Sequence, residues 1–186
     1  MTDTVRPAAD DDISRELAGW YLLATDLRHV VSATRSLERQ RGQSGNDPTL
    51  MRSLWTSAHI AYARCFVDGP TVKLDPAMFD DRADAPRQAH RFLLFTANKH
   101  LAQPLNPFLH VRVGVEHNAD GRPIGIKYTP SSNDGSSSDA ANLAWLAAEA
   151  LKHVETIEAA LAARLKARLL ASLTRTSATV SDGRAR

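Results

Sequence analysis

The sequence predicts a mostly α-helical protein: a bundle of about four helices, with one β-hairpin inserted before the last long helix. Two observations predict this fold. Apolar residues recur at three- and four-residue steps along most of the chain, and this period changes to two only between about residues 108 and 128. At 186 residues, with 43% hydrophobic and 24% charged residues, the chain is ordinary for one domain with its own core.

The first helix is predicted from about Ile13 to Gln40. Residues 1–11 hold acids and a proline without apolar periodicity, so we predict a disordered lead before a single domain at 12–172. The helix carries an apolar stripe that defines its core-facing side. Its members are Ile13, Leu17, Trp20, Tyr21, Ala24, Leu27, Val31, Thr34 and Leu37.

The second helix is predicted to start at Asp47-Pro48, because Asp is a good N-cap residue and Pro fits the first helical position. Gly69-Pro70 closes the segment. We expect Trp55, His59 and Arg64 to lie away from its core-facing stripe. That stripe consists of Leu50, Leu54, Ser57, Ala58, Ala61, Tyr62, Cys65 and Phe66.

The third helix is predicted to begin at Asp84 or Ala85 and to end near His100 or Leu101, since Pro104 cannot continue it. The preceding segment contains several prolines. We predict an ordered connection there, anchored by three apolar residues, Leu74, Met78 and Phe79.

The β-hairpin is predicted at about residues 108–128, where polar and apolar residues alternate on both sides of the turn sequence Asn118 to Gly121. An isolated two-stranded ribbon is only marginally stable, so we expect it to lean on the helices. The apolar residues predicted to share one face are Leu109, Val111, Val113, Val115, Ile124, Ile126 and Tyr128.

The last helix is long and amphipathic. Ser138 or Asp139 is predicted to cap it, after a Ser-rich flexible linker at about 129–138, and it is expected to end near Ser172. The remaining residues, 173–186, are predicted to form a disordered tail.

Composition excludes several classes of protein. The net charge of +2, from 23 basic and 21 acidic residues, is too small for a global attraction to nucleic acid or membrane. Cys65 is the only cysteine, which excludes an intrachain disulfide and favours a reducing compartment. No apolar run is long enough for a membrane span, and no secretory signal is recognisable. We therefore predict a cytoplasmic protein without a membrane partner.

No metal or cofactor is predicted. The seven histidines lack metal-ligand spacing, and neither a Cys-x-x-Cys pattern nor a glycine-rich nucleotide-binding loop occurs. Cys65 falls on the apolar stripe of its helix, where a packed thiol is the simpler interpretation.

The candidate site is Asn98-Lys99-His100, at the end of the third helix, where polar groups capable of acid–base chemistry cluster. The competing interpretation is structural, because cations in the last turn stabilise the helix dipole. Arg64 and Arg91, together with Lys99, are the candidate contacts for RNA phosphates. A second basic patch at the end of the first helix, also a candidate for RNA contact, consists of Arg28, Arg35, Arg39 and Arg41.

Two segments carry a resemblance to a known family: residues 54–66, and Asn98 to Gln103 followed by Asn106-Pro107-Phe108. They resemble bacterial helical proteins with the Arg-to-His signature of the HEPN superfamily. The resemblance implies a helical bundle, often dimeric, related to metal-independent ribonucleases of toxin–antitoxin and defence systems. In this chain the signature Arg falls on Ala97 and the signature His on Gln103. Neither replacement can perform the original chemistry, so the resemblance implies loss of ribonuclease activity.

Three functions follow as hypotheses. The first is a non-catalytic HEPN-like protein that forms a homodimer and binds a partner, either RNA or protein. The second is a metal-independent endoribonuclease that uses His100, Lys99 and Asn98. The third is a helical scaffold protein without a nucleic-acid role, in which Lys99 and His100 only finish a helix.

Overall fold

The computed structural model describes residues 12–45, 47–69, 72–102, 109–132 and 135–182. They form four α-helices and one antiparallel hairpin, which confirms the predicted fold class. The elements in chain order are α1 (Asp12–Arg41), α2 (Pro48–Arg64), α3 (Asp84–Ala102), β1 (Leu109–His117), β2 (Pro123–Ser132) and α4 (Ser137–Asp182).

The core lies where α1 packs against α4 and α2, with α3 along the side of the bundle. Leu74 and Phe79, from the connection between α2 and α3, are fully buried in it, as predicted. The predicted core-facing stripe of α1 includes Tyr21, but this side chain is 56% exposed. Leu23 and Val30, which lie outside the predicted stripe, are buried instead. The core-facing side of α1 is therefore displaced from the predicted one.

The start of α2 confirms the predicted cap. Oδ1 of Asp47 accepts hydrogen bonds from the backbone N–H of Thr49, at 2.9 Å, and of Leu50, at 3.3 Å. Pro48 occupies the first turn, where its missing N–H costs nothing. Local chemistry alone therefore determines this helix start.

The start of α4 differs from the prediction, since Ser136 caps it rather than Ser138 or Asp139. Ser136 Oγ accepts from the N–H of Asp139 at 3.1 Å, and Asp139 Oδ2 accepts from the N–H of Ser136 at 2.8 Å. This reciprocal arrangement is a capping box, which satisfies two backbone donors at once. At its other end α4 continues to Asp182, past the end predicted near Ser172.

The hairpin is regular along most of its length, with Val113 opposite Tyr128 and Val115 opposite Ile126. Asn118 closes the turn: its N–H donates to the Arg122 carbonyl at 2.9 Å, and its side-chain oxygen accepts from the Arg122 N–H at 2.8 Å. The turn therefore supplies its own hydrogen bonds.

The prediction that the hairpin leans on the helices is wrong. Among the described residues, β1 and β2 contact each other, and neither strand packs against a helix. The cross-strand hydrogen bonds define the ribbon without help from the bundle, so its apolar side chains remain uncovered.

Candidate functional site

The end of α3 places the three predicted catalytic residues on the last turns of one helix. Asn98 is exposed, and Lys99 is half-buried with its ammonium 5.7 Å from the centre of the Phe95 ring. This is a cation–π contact within one turn of helix. His100 is described by its backbone alone, and Gln103 lies outside the described residues.

Ala97, the position that matches the signature Arg of the resemblance, is buried at 1% exposure. It lines a small enclosed space together with Trp55, His59 and Ile60 of α2. An arginine at this position would have to displace packed α2 side chains. The position therefore faces the helix–helix interface and offers no group to a substrate.

Arg64, a predicted RNA contact, is held by a carboxylate of α1. Its Nη2 lies 2.5 and 2.7 Å from the two Asp26 oxygens, and its Nε lies 3.2 Å from Oδ2. These hydrogen bonds raise the pKa of the Arg64 guanidinium above its ordinary value. A phosphate would have to compete with Asp26 for the same donors.

Arg91, the other predicted RNA contact on α3, pairs with Asp80 of the connection at 2.8 Å. Arg91 and Lys99 are eight residues apart, about 12 Å along the helix axis. Arg64 thus contacts α1, Arg91 contacts the connection, and Lys99 contacts Phe95 of its own helix. The predicted site residues do not form a common cleft in the described part of the chain.

A buried pair that the sequence analysis missed joins α2 to α3. The Tyr62 hydroxyl lies 2.8 Å from Nδ1 of His90, and Nε2 of His90 lies 2.9 Å from the Pro76 carbonyl. Because the carbonyl only accepts, Nε2 carries the proton and Nδ1 accepts from the hydroxyl. The ring also contacts Phe66 and Phe79.

Burial shifts the acidity of both partners in this pair. Desolvation lowers the pKa of His90 below the ordinary value for histidine, and it raises the pKa of Tyr62. Both groups are neutral near pH 7, and both are buried at 1% exposure or less. The pair joins two helices and the connection, and its Tyr62 side chain is fully buried.

His59 forms a second buried contact between α2 and α3, so the prediction that His59 and Trp55 lie away from the core-facing stripe is wrong. Its Nε2 lies 2.7 Å from the Leu93 carbonyl and 3.0 Å from the Thr96 hydroxyl. Trp55 is 5% exposed. The face of α2 that appeared polar in the sequence therefore covers α3.

Cys65 is a packed thiol, as predicted. Its Sγ donates to the Ala61 carbonyl at 3.4 Å, and burial raises its pKa to about 12. A thiolate is the reactive form of cysteine, so this side chain is a poor nucleophile.

Neither a metal site nor a membrane span is found in the part of the chain that the structure describes. No three His, Cys, Asp or Glu residues of that part lie close enough together to hold a metal ion. None of its helices combines the length and the apolar character needed to cross a bilayer.

The uncovered side of the hairpin is the most distinctive surface of the described residues. Val111, Val113, Val115, Ile126 and Tyr128, here called the hairpin face, are between 52% and 67% exposed. The strand register places Val113 beside Tyr128 and Val115 beside Ile126 on the same side of the ribbon. No sequence signal indicated this exposure, because the alternating pattern is the same whether or not a face is covered.

The fold and these surfaces define a helical protein with a separate amphipathic β-hairpin and no assembled catalytic cluster among the described side chains. No protein-family model, curated protein or solved structure matches the chain.

Proposed function

We propose that this protein is a non-catalytic, HEPN-like helical protein that acts through self-association and partner binding, with the hairpin face as its self-association surface. The observation that carries the proposal is the exposure of that face, which no helix of the described chain covers. Large exposed apolar patches are unusual on monomeric proteins and mark interaction sites. A cytoplasmic location, in keeping with the single buried cysteine, is part of the proposal.

A second copy of the chain is the occupant that fits this face best. The five side chains of the face carry no charge, while Arg112, Glu116 and Lys127 lie on the opposite side of the ribbon. Two copies related by a twofold axis therefore bring together apolar surfaces without like-charge repulsion. An RNA or a charged protein surface would find no ionic partner on this face.

The size of the face predicts a reversible dimer. Burying one fully exposed side chain of this size contributes about 1.5–3 kcal/mol. Each of the five side chains is a little more than half exposed. Burying all five in both copies therefore contributes on the order of 10 kcal/mol to association. Association itself costs roughly 4–15 kcal/mol, so at the low end of this cost the net binding free energy is about −6 kcal/mol. We therefore expect a dissociation constant of roughly tens of micromolar.

The absence of catalysis in this proposal is supported at two positions. Ala97 is buried in the interface between α2 and α3, and the Lys99 ammonium lies over Phe95. The alternative, a metal-independent ribonuclease that uses His100 and Lys99, needs an arginine within reach of the same phosphate. Arg64 and Arg91 are each engaged by a carboxylate on another element.

Self-association is tested by sedimentation velocity of the full chain over a range of micromolar concentrations. The variant Val113→Glu places a charge at the centre of the hairpin face. The matched control Gly114→Glu places the same charge one residue away, on the opposite side, where a side chain meets open space. We expect concentration-dependent dimers for the wild type and the control, and an association about tenfold weaker or more for Val113→Glu, since a buried unpaired carboxylate is costly.

Two results would contradict the proposal. One is a wild-type protein that remains monomeric at high micromolar concentration. The other is an equal effect of Val113→Glu and Gly114→Glu on association. If the monomeric wild type also bound phosphatidylcholine vesicles and Val113→Glu did not, the face would serve a membrane surface instead.

A further inference from the structure

The groove between α1 and α4 forms a second surface, distinct from the hairpin face. It has a volume of about 770 Å³. α1 contributes Arg28, Arg35 and Arg39 to its lining. The α4 side is lined by alanines, whose short side chains end at Cβ and leave the space between the two helices unfilled. The apolar floor consists of Val31, Ala140, Ala141, Ala144 and Leu151.

The length of the groove is set by contacts between the two helices at its ends. At one end Arg28 pairs with Glu155 at 2.8 Å, and at the other Arg41 donates to the Gly135 carbonyl at 2.5 Å. These contacts show that α1 and α4 run antiparallel. From Arg28 to Arg39 the helix rises about 16 Å, which is the length of three helical turns.

The charge of the groove is positive. Arg28 is neutralised by Glu155, and Glu38 is neutralised by Arg41. Arg35 and Arg39 are exposed on adjacent turns, and among the described residues neither forms an ion pair with a carboxylate. Arg39 donates to the neutral Ser36 hydroxyl at 3.0 Å. Two arginines whose backbone positions are about 6 Å apart along the helix axis therefore carry charge at the rim that no described carboxylate neutralises.

We propose that this groove binds an acidic amphipathic α-helix of a partner protein, about three turns long. Its apolar side chains would fill the space above Ala140, Ala141 and Ala144. Its carboxylates would pair with Arg35 and Arg39, because guanidinium and carboxylate form strong, directional hydrogen bonds. An amphipathic helix in an apolar groove is a recurrent mode of peptide recognition. The proposal adds a partner to the self-association argued above and does not depend on it.

Charge and lining distinguish this occupant from two others. A second copy docking symmetrically would bring Arg35 and Arg39 of both chains together, and like charges in an interface are costly. RNA could contact the arginines, but the lining contains no aromatic ring on which a base could stack. The apolar floor, which includes alanine and valine, suits the aliphatic side chains of a helix better than it suits nucleobases.

The test is a fluorescence anisotropy titration with a labelled 15-residue peptide, about 22 Å long as a helix, with leucine on one face and glutamate on the other. A scrambled peptide of the same composition lacks the apolar face. The variant Arg35→Glu/Arg39→Glu reverses the rim charge, and Arg112→Glu/Arg122→Glu makes the same change on the hairpin. Circular dichroism verifies that both variants fold.

We expect the amphipathic peptide to bind about tenfold or more tightly than the scrambled one, and Arg35→Glu/Arg39→Glu to lose at least that factor. Arg112→Glu/Arg122→Glu should bind like the wild type. Increasing the salt concentration from about 0.1 M to about 1 M should weaken binding, because it shortens the Debye length from about 10 Å to 3 Å.

Any of three results would overturn the proposal. The first is no measurable binding of the amphipathic peptide. The second is equal binding of the amphipathic and scrambled peptides, or equal losses in the two double variants. The third is binding of a short polyuridine RNA that depends on Arg35 and Arg39 and that the peptide does not displace.

Discussion

The neutral imidazole of His90 is the residue whose environment most strongly determines its chemistry. Its two ring nitrogens are committed to the Tyr62 hydroxyl and the Pro76 carbonyl, and burial lowers its pKa. Protonation would turn Nδ1 into a donor facing a hydroxyl that already donates to it, so the hydrogen bond would have to reorganise. Such a residue stabilises the fold only while it stays neutral.

We predict that His90 makes stability depend on pH. In the unfolded chain its pKa returns to about 6.5, whereas in the folded protein it is lower, so the unfolded state takes up the proton first. The stability from neutral His90 is thus complete above about pH 6.5 and is lost as the pH falls from there through the lowered folded pKa. Urea unfolding between about pH 8 and pH 5 measures this loss.

The control for this prediction is His90→Gln, which keeps a donor and an acceptor but does not titrate. The urea midpoint of this variant should fall less steeply with decreasing pH than that of the wild type. The same slope for both proteins would assign the pH dependence to other groups.

Gly135 is the second residue whose identity the structure explains. Its φ is +70°, and a Cβ at this position would lie 2.7 Å from the Trp55 ring. Only glycine combines this backbone conformation with so close an approach.

We predict that Gly135→Ala lowers the free energy of unfolding by about 2–4 kcal/mol, because the penalty for positive φ and the clash with Trp55 add. Gly121→Ala is the matched control. Its φ is +77°, but a Cβ there meets nothing within 4 Å, so about 1–2 kcal/mol is expected. Thermal and urea unfolding give both values. Equal decreases in the free energy of unfolding of the two variants would show that the Trp55 ring moves aside without loss of stability.

At the scale of single elements, different interactions stabilise the hairpin and the helices. The helices are stabilised by burying one face, as α4 does with Leu143, Leu146 and Val154. The hairpin has its ladder of hydrogen bonds and the Asn118 turn, but its apolar side is exposed to water. Exposed apolar strands favour association between chains, which is the physical reason to expect that a second copy covers this face.

α1 and α4 together form the element pair on which the rest of the bundle is built. The alanines that allow close packing near the start of α4 also leave the groove beside Arg35 and Arg39. One structural feature, the short side chain of alanine, thus produces both the tight antiparallel pairing and a surface suited to a partner helix.

At the scale of the whole molecule, the predicted cationic site residues lie on different parts of the described chain. Arg64, Arg91 and Lys99 each face a different neighbour, and Ala97 is buried. Phosphoryl chemistry needs a base and a cation at the same phosphate.

We predict that the protein does not cleave RNA. Total RNA incubated with the wild type in EDTA should remain as intact as RNA incubated with His100→Ala or without protein, because Arg64 and Arg91 are paired with carboxylates and the Lys99 ammonium lies over Phe95. Fragment analysis on a denaturing gel measures this. Cleavage by the wild type that His100→Ala abolishes would contradict the proposal and would establish the ribonuclease alternative.

Several sequence-based predictions were wrong for the same physical reason. Trp55 and His59 appeared to lie on an outer face of α2, yet they pack against α3 and the Gly135 backbone. Tyr21 appeared to belong to the core-facing stripe of α1, yet it is exposed. Periodicity identifies a preferred face, but it cannot show how many neighbours a helix has or on which sides they lie.

The sequence by itself determined the elements of this protein, because capping at Asp47, proline at the ends of helices and the change of period at the hairpin act between residues close together in the chain. Only the tertiary structure decided that Tyr62 meets His90, that Ala97 is buried and that the hairpin face is uncovered. Those outcomes depend on distances between segments far apart in the chain. No local pattern encodes such distances.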